Sequence, residues 1–205
     1  MDLAHAVQHG PALAAYDIVA VGTSAGGLSA LSSIVSSLPQ GFPVPIVVVQ
    51  HLAPKHRSHI ADLLGRRSPL SILEAHEGDV LAPGRVYIAP PDRHLLVTPE
   101  RSLSLGNTEL VHFVRPSADL LFRSIAAVFS VRAIAVVLTG TGSDGSDGAL
   151  AVRQAGGLVI AQDESTSEFF GMPSAAIEAG AVDLILPLDE IAGKLISLVD
   201  GPVPG

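Results

Sequence analysis

The chain of 205 residues has no cysteine and no tryptophan, and aromatic residues make up only 4% of it. Without cysteine there is no disulfide scaffold, no thiolate nucleophile and no cysteine-ligated zinc. Basic residues are also scarce, twelve against twenty acidic, for a net charge of −8. That balance argues against nucleic acid and anionic membrane surfaces as partners. No uninterrupted apolar run approaches the ~18 residues needed to span a bilayer. The N-terminus has no basic segment leading into an apolar one, so no secretory signal is read there. A cytoplasmic protein that is not inserted in a membrane is expected.

What the chain does have is aliphatic bulk. Hydrophobic residues, mainly Ala, Val, Leu and Ile, make up 48%, and charged residues only 16%. This composition favours a packed core over disorder, and the length suits one domain of roughly 100–200 residues. The charge is unevenly spread. From Thr141 onwards there are ten acids and two bases, whereas Lys55 to Arg123 holds nine bases and eight acids. Arg57, Arg66 and Arg67 in that central stretch can present a cationic face, although for any one of them a solvated surface arginine is the simpler reading.

Short apolar runs closed by glycine or polar residues mark strands buried on both faces: 17–21, 45–50 and 133–138. Helical spacing occupies 26–37, 57–66, 117–129, 149–155, a stretch after Pro173, and 188–199. Further short strands are read at 71–74, 158–161 and 182–186. Segments 86–89, 94–97 and 102–105, separated by Pro, Asp and Gly, suggest an antiparallel hairpin or meander. The alternation of strand and helix predicts a three-layer, doubly wound, mostly parallel α/β sheet with a small antiparallel hairpin. Residues 1–15 read as a leader or linker remnant, 16–200 as the domain, and 201–205 as a tail.

In such sheets ligands bind beyond the carboxyl ends of the strands. Ser24, His51 and Asp144 each follow one of the three strongest strands, and together they supply the parts of a nucleophilic triad. The segment Gly22-Thr-Ser24-Ala-Gly26 matches a nucleophile elbow between strand and helix. A glycine-rich turn whose serine merely caps the helix reads as well for that match alone. The order Ser, His, Asp disfavours the α/β-hydrolase superfamily, which runs Ser, Asp, His. The same turn offers N–H groups to an anion, but it is neither GxGxxG nor a P-loop, so a nucleotide role is weakly supported. The run Asp144-Gly-Ser-Asp147-Gly148 lacks the spacing of a calcium loop. Neither a metal nor a cofactor is expected.

Six motifs occur in order: Val21-Gly-Thr-Ser24-Ala-Gly-Gly27, Val49-Gln-His51-Leu, Tyr87-Ile-Ala-Pro-Pro-Asp-Arg-His94, Arg115-Pro-Ser-Ala-Asp119-Leu-Leu-Phe122, Leu138-Thr-Gly-Thr-Gly-Ser-Asp144-Gly145 and Phe170-Gly-Met-Pro173. From about Tyr16 to Val199 the chain resembles the catalytic domain of CheB-type chemotaxis protein-glutamate methylesterases. The resemblance implies hydrolysis of glutamate methyl esters on the cytoplasmic helices of methyl-accepting chemoreceptors, with release of methanol, and often deamidation of receptor glutamines. It implies Ser24 as nucleophile, His51 as base and Asp144 as orienting acid. An oxyanion donor is implied near Thr141 and Gly142, with Ala25 and Gly26 at the helix start as further candidates. Gln50, Pro54, His94, Arg115 and Met172 lie in family-like motifs as candidate cleft residues.

The chain departs from the family where Ala25, Thr141 and Ser143 stand in place of its usual residues. The full regulatory proteins of the family carry a receiver domain before the esterase. Fifteen residues cannot hold one, which leaves a stand-alone esterase or a fragment, with a separate regulatory domain or protein as a candidate partner. A scaffold or binding module of the same fold is the alternative function.

Overall fold

The computed structural model describes residues 14–51 and 59–201. Its centre is a seven-stranded parallel sheet in the order β3-β4-β2-β1-β7-β8-β9. These strands are β1 (Ile18–Thr23), β2 (Ile46–Gln50), β3 (Ser71–Glu74), β4 (Arg85–Ile88), β7 (Ala133–Val137), β8 (Leu158–Gln162) and β9 (Leu184–Leu186). Strands β5 (His94–Val97) and β6 (Leu103–Gly106) pair antiparallel in a separate two-stranded sheet. The expected three-layer architecture with a hairpin is thus what the chain adopts.

Every residue of β1, β2 and β7 is buried, and strand geometry sends alternate side chains to opposite faces. Val19, Val21, Ile46, Val48, Ile134 and Val136 pack on one face, under α1 (Gly27–Ser37), α2 (Ile60–Gly65) and α6 (Leu188–Val199). Ile18, Ala20, Val47, Val49, Ala135 and Val137 pack on the other, under α3 (Ala118–Phe129), α4 (Ser146–Gln154) and α5 (Gly171–Glu178). Each helix turns a stripe inward at helical spacing. In α1 it is Ala30, Leu31, Ile34 and Val35, and in α3 Leu121, Phe122, Ile125 and Phe129.

Several local expectations are corrected. Segment 86–89, expected in an antiparallel hairpin or meander, instead forms most of β4, a parallel strand between β2 and β3. Val86, Tyr87 and Ile88 are all buried, the pattern of a strand covered on both faces rather than a half-exposed ribbon. The hairpin is β5–β6 alone, and its Leu95, Val97 and Leu103 join the α3 side of the core. Helix α5 begins at Gly171, ahead of Pro173, because a proline in the first turn removes an N–H that has no partner within the helix. Helix α4 begins at Ser146 rather than at 149. At the N-terminal end, Ala15 is buried and its N–H donates to the Val199 carbonyl, so the chain is already packed there. The rest of the expected leader, and residues 202–205 of the tail, lie outside the described residues. So do Pro54 and Arg57. Among the described residues no helix is long and apolar enough to cross a membrane.

Candidate active site

The sheet places three strand exits side by side. Thr23 is in register with Gln50, and Gly22 with Val137, so Ser24 and His51 stand one step beyond neighbouring strands. Backbone hydrogen bonds carry the ladder past the strand ends. His51 N–H donates to the Thr23 carbonyl and Ser24 N–H to the Thr139 carbonyl, both at 3.0 Å. Gly26, with φ 78°, takes the left-handed turn that leads from Ser24 into α1.

Asp144 is 3% exposed and meets His51 through a 2.8 Å contact between its Oδ2 and the ring Nε2. The same carboxylate is seated on the N-terminus of α3. Ala118 N–H donates to Oδ2 at 2.6 Å, Ser117 Oγ donates to Oδ1 at 2.6 Å, and Asp119 N–H reaches Oδ1 at 3.2 Å. Burial pushes this carboxyl up, but the hydrogen bonds from His51, Ser117 and Ala118 and the charge of His51 outweigh it, so Asp144 is held below the usual carboxylate range. The positive end of the α3 dipole acts in the same sense. With Nε2 donating to Asp144, Nδ1 is the ring nitrogen free to accept a proton. Among the described residues no hydrogen bond yet joins His51 to Ser24 Oγ. Such bonds often tighten only with substrate bound.

The backbone around Ser24 is braced by side chains at the strand ends. The Gln50 amide donates to the carbonyls of both Ser24 and His51, at 2.7 and 3.0 Å, tying the two turns together. Thr23 Oγ1 donates to the Thr139 carbonyl at 2.7 Å. Thr139 Oγ1 in turn accepts from Phe169 N–H at 2.9 Å and donates to the Ala25 carbonyl at 3.0 Å. Gln162, at the end of β8, accepts from Thr139 N–H. Met172 is fully buried, with its sulfur against Gly140, and a Cβ on Gly140 would stand 2.3 Å from that sulfur and 2.8 Å from Ser24 Cβ. Thr141 and Gly142 are exposed on the loop that follows β7, and Gly142 has φ 86°.

Two of the candidate cleft residues have other partners. His94 is fully buried in β5, with Nε2 3.0 Å from the Glu109 carbonyl. Arg115 holds Asp92 through Nε and Nη2 and donates from Nη1 to the carbonyls of Asn107 and Thr108, clamping together the segments that enter and leave the hairpin at its open end. Reasoning from sequence missed the donors Ser117 and Ala118 and the braces Thr139 and Gln162. Ser117 opens the helical spacing read at 117–129 and Gln162 follows the strand read at 158–161, and neither position by itself points to the site.

Ser24 opens onto a groove of about 910 Å³ between α1 and α2. Its wall includes the exposed Leu28 and Leu63, and it runs out to Arg66 and Arg67. Both arginines are exposed, and neither has an ion-pair partner among the described residues.

A serine, a histidine and an aspartate at the carboxyl edge of a doubly wound parallel sheet place the molecule among α/β proteins with a hydrolase-type site. Residues 19–195 match the family model described as CheB methylesterase, and the chain belongs to that family. The chain is 42% identical to the crystal structure of the Thermotoga maritima CheB methylesterase catalytic domain, with a TM-score of 0.86 over 90% of this chain and 99% of that one. It is 41% identical to a protein-glutamate methylesterase/protein-glutamine glutaminase of Moorella thermoacetica, over 90% of this chain and 45% of the relative. A second such protein, numbered 2 in Anaeromyxobacter dehalogenans, is 46% identical over 92% of this chain and 55% of its own length. The chain therefore spans about half the length of these two curated relatives.

Proposed function

We propose that the chain is a serine esterase that hydrolyses glutamate γ-methyl esters on the cytoplasmic helices of chemoreceptors and releases methanol. The observation that carries this reading is the His51–Asp144 contact, anchored on α3, beside a serine that opens on a groove. Ser24 Oγ attacks the ester carbonyl while His51 Nδ1 takes its proton. The tetrahedral oxyanion is met by N–H groups at the start of α1, at Ala25 and Gly26, and on the loop at Thr141 and Gly142. The proton held by His51 then passes to the departing methoxide. Water, deprotonated by the same ring, cleaves the glutamyl ester of Ser24 and restores the enzyme. Asp144 stays ionised throughout, fixing the tautomer and stabilising the imidazolium.

The names of relatives pair this activity with protein-glutamine glutaminase, and an amide entering the same cycle loses ammonia in place of methanol. The reading includes residues 16–200 as the catalytic domain, a cytoplasmic setting and regulation by a separate domain or protein. The groove suits a receptor helix, whose acidic side chains would meet Arg66 and Arg67 while a methyl ester reaches Ser24. Methanol release from methylated receptor tests the proposal. Ser24→Ala should lose on the order of 10⁴-fold in rate, and a fluorophosphonate probe should label Ser24 in the unaltered protein. Near-normal methanol release by the variant, or no labelling, would sink it and favour a scaffold of the same fold.

A further inference from the structure

At the N-terminal turn of α3, beside Asp144, three side chains converge that the proposed chemistry does not use. Asp119, in the first turn of α3, is 1% exposed. Its Oδ1 accepts from Gly148 N–H at 2.6 Å, but its buried Oδ2 has no hydrogen-bond partner. Buried carboxylate oxygens are rarely left in that state, because an unsatisfied group costs about 1–3 kcal/mol or more. His112 Nε2 lies 3.1 Å from this oxygen, near enough for an ion contact yet not a directed hydrogen bond. Asp147, in the first turn of α4, supplies a third atom, and all three lie within 4.8 Å of one another. Burial, followed by the charges of Asp144 and Asp147, pushes the Asp119 carboxyl up, against the Gly148 hydrogen bond and the His112 charge. Negative charge is crowded here, and only part of it is answered by His112 and by Arg123, which stands 3.3 Å from Asp147.

We propose that His112, Asp119 and Asp147 form a binding site for one zinc ion, with water completing the coordination. One imidazole nitrogen and two carboxylate oxygens suit zinc, whereas magnesium and calcium take all-oxygen shells. Around a tetrahedral ion with bonds of about 2.0–2.2 Å, ligand atoms stand roughly 3.3 Å apart, close to the present spacing of His112 and Asp119. Asp147 and Arg123 are both more than half exposed, so the Asp147 carboxylate can swing inward by giving up a weak surface pair. A bound ion would staple the 111–114 turn to α3 and α4. It would also hold Asp119, whose N–H donates to Asp144, without touching substrate.

The test is zinc titration of tag-free, chelator-treated protein by calorimetry, with thermal unfolding in parallel. The unaltered chain should bind one zinc per molecule and unfold at higher temperature with zinc than without it. His112→Ala and Asp147→Asn change exposed side chains and should still fold. Each should weaken binding on the order of tenfold or more, and the thermal shift should shrink with it. Magnesium in excess should not displace the zinc. Absence of zinc binding by the unaltered chain, or zinc affinity in both variants equal to that of the unaltered chain, would overturn the site.

Discussion

Asp144 and Ser24 both lie on loops that follow central strands, Ser24 directly after β1 and Asp144 farther along, close to the start of α4, and they are held in opposite ways. Asp144 is 3% exposed and receives His51 Nε2, Ser117 Oγ and two backbone N–H groups. Ser24 is half-buried, its backbone is bound on both sides, and it lines the open groove. The difference follows from the tasks the proposed cycle sets. A group that must stay charged and still profits from fixed donors in a dry place. A group that must reach a carbonyl on another molecule needs a fixed backbone and free space in front of it.

Asp144→Asn should break the anchored side most severely. The amide can satisfy only some of the donors now pointing at Asp144, and it favours the wrong His51 tautomer. A fall on the order of 10⁴-fold in the rate of methanol release is expected, measured beside a fluorophosphonate labelling rate that falls with it. A variant as fast as the unaltered chain would mean that the anchored aspartate is merely structural.

Ser117→Ala sharpens the same comparison at smaller scale. It removes one donor to Asp144 and the cap of α3, so a loss of about 1 kcal/mol in stability is expected by denaturant unfolding. The pH dependence has a definite sign. Because the native Asp144 carboxyl is held below its ordinary value, its stabilisation is present above the unfolded aspartate value of about 3.9 and is lost as pH falls through the lower native value. Loss of Ser117 raises that native value. The stability gap between the two proteins should therefore be full at neutral pH and narrow, as both carboxyls protonate, to the share that the α3 cap contributes. A gap that does not vary with pH would assign Ser117 to helix capping alone.

On the open side, the Arg66→Glu, Arg67→Glu double variant should have the mildest chemical effect. It should raise KM for methylated receptor while leaving kcat, and turnover of a small methyl ester, close to unchanged. Added salt should weaken receptor binding to the unaltered chain more than to the variant. Equal KM values would remove the arginine end of the groove from substrate docking.

Much of this arrangement was legible in the chain. Ser24, His51 and Asp144 could be placed at strand exits because β1, β2 and β7 are continuous apolar runs, and such runs become doubly buried parallel strands. β4 escaped the same reasoning because four residues between prolines and glycines show too little pattern to separate a parallel strand from a hairpin arm. The partners of Asp144 escaped for a different reason. Ser117 and Ala118 lie more than twenty residues away, and their approach depends on close packing of α3 against α4 at Gly148, where a Cβ would stand 2.6 Å from the Asp119 carbonyl. His94 and Arg115 sit in motifs as suggestive as that of His51, but one is buried in β5 and the other ties loops together.

The sequence by itself determined the layer architecture, the strand exits and the residue types gathered there, because hydrophobic periodicity and glycine placement are local properties. Only the tertiary structure decided which ring nitrogen of His51 meets Asp144, which helix terminus holds that carboxylate, and that His112 and Asp147 converge on an orphaned oxygen of Asp119. Those outcomes depend on distances between segments far apart in the chain, and such distances are set by how the helices pack on the sheet.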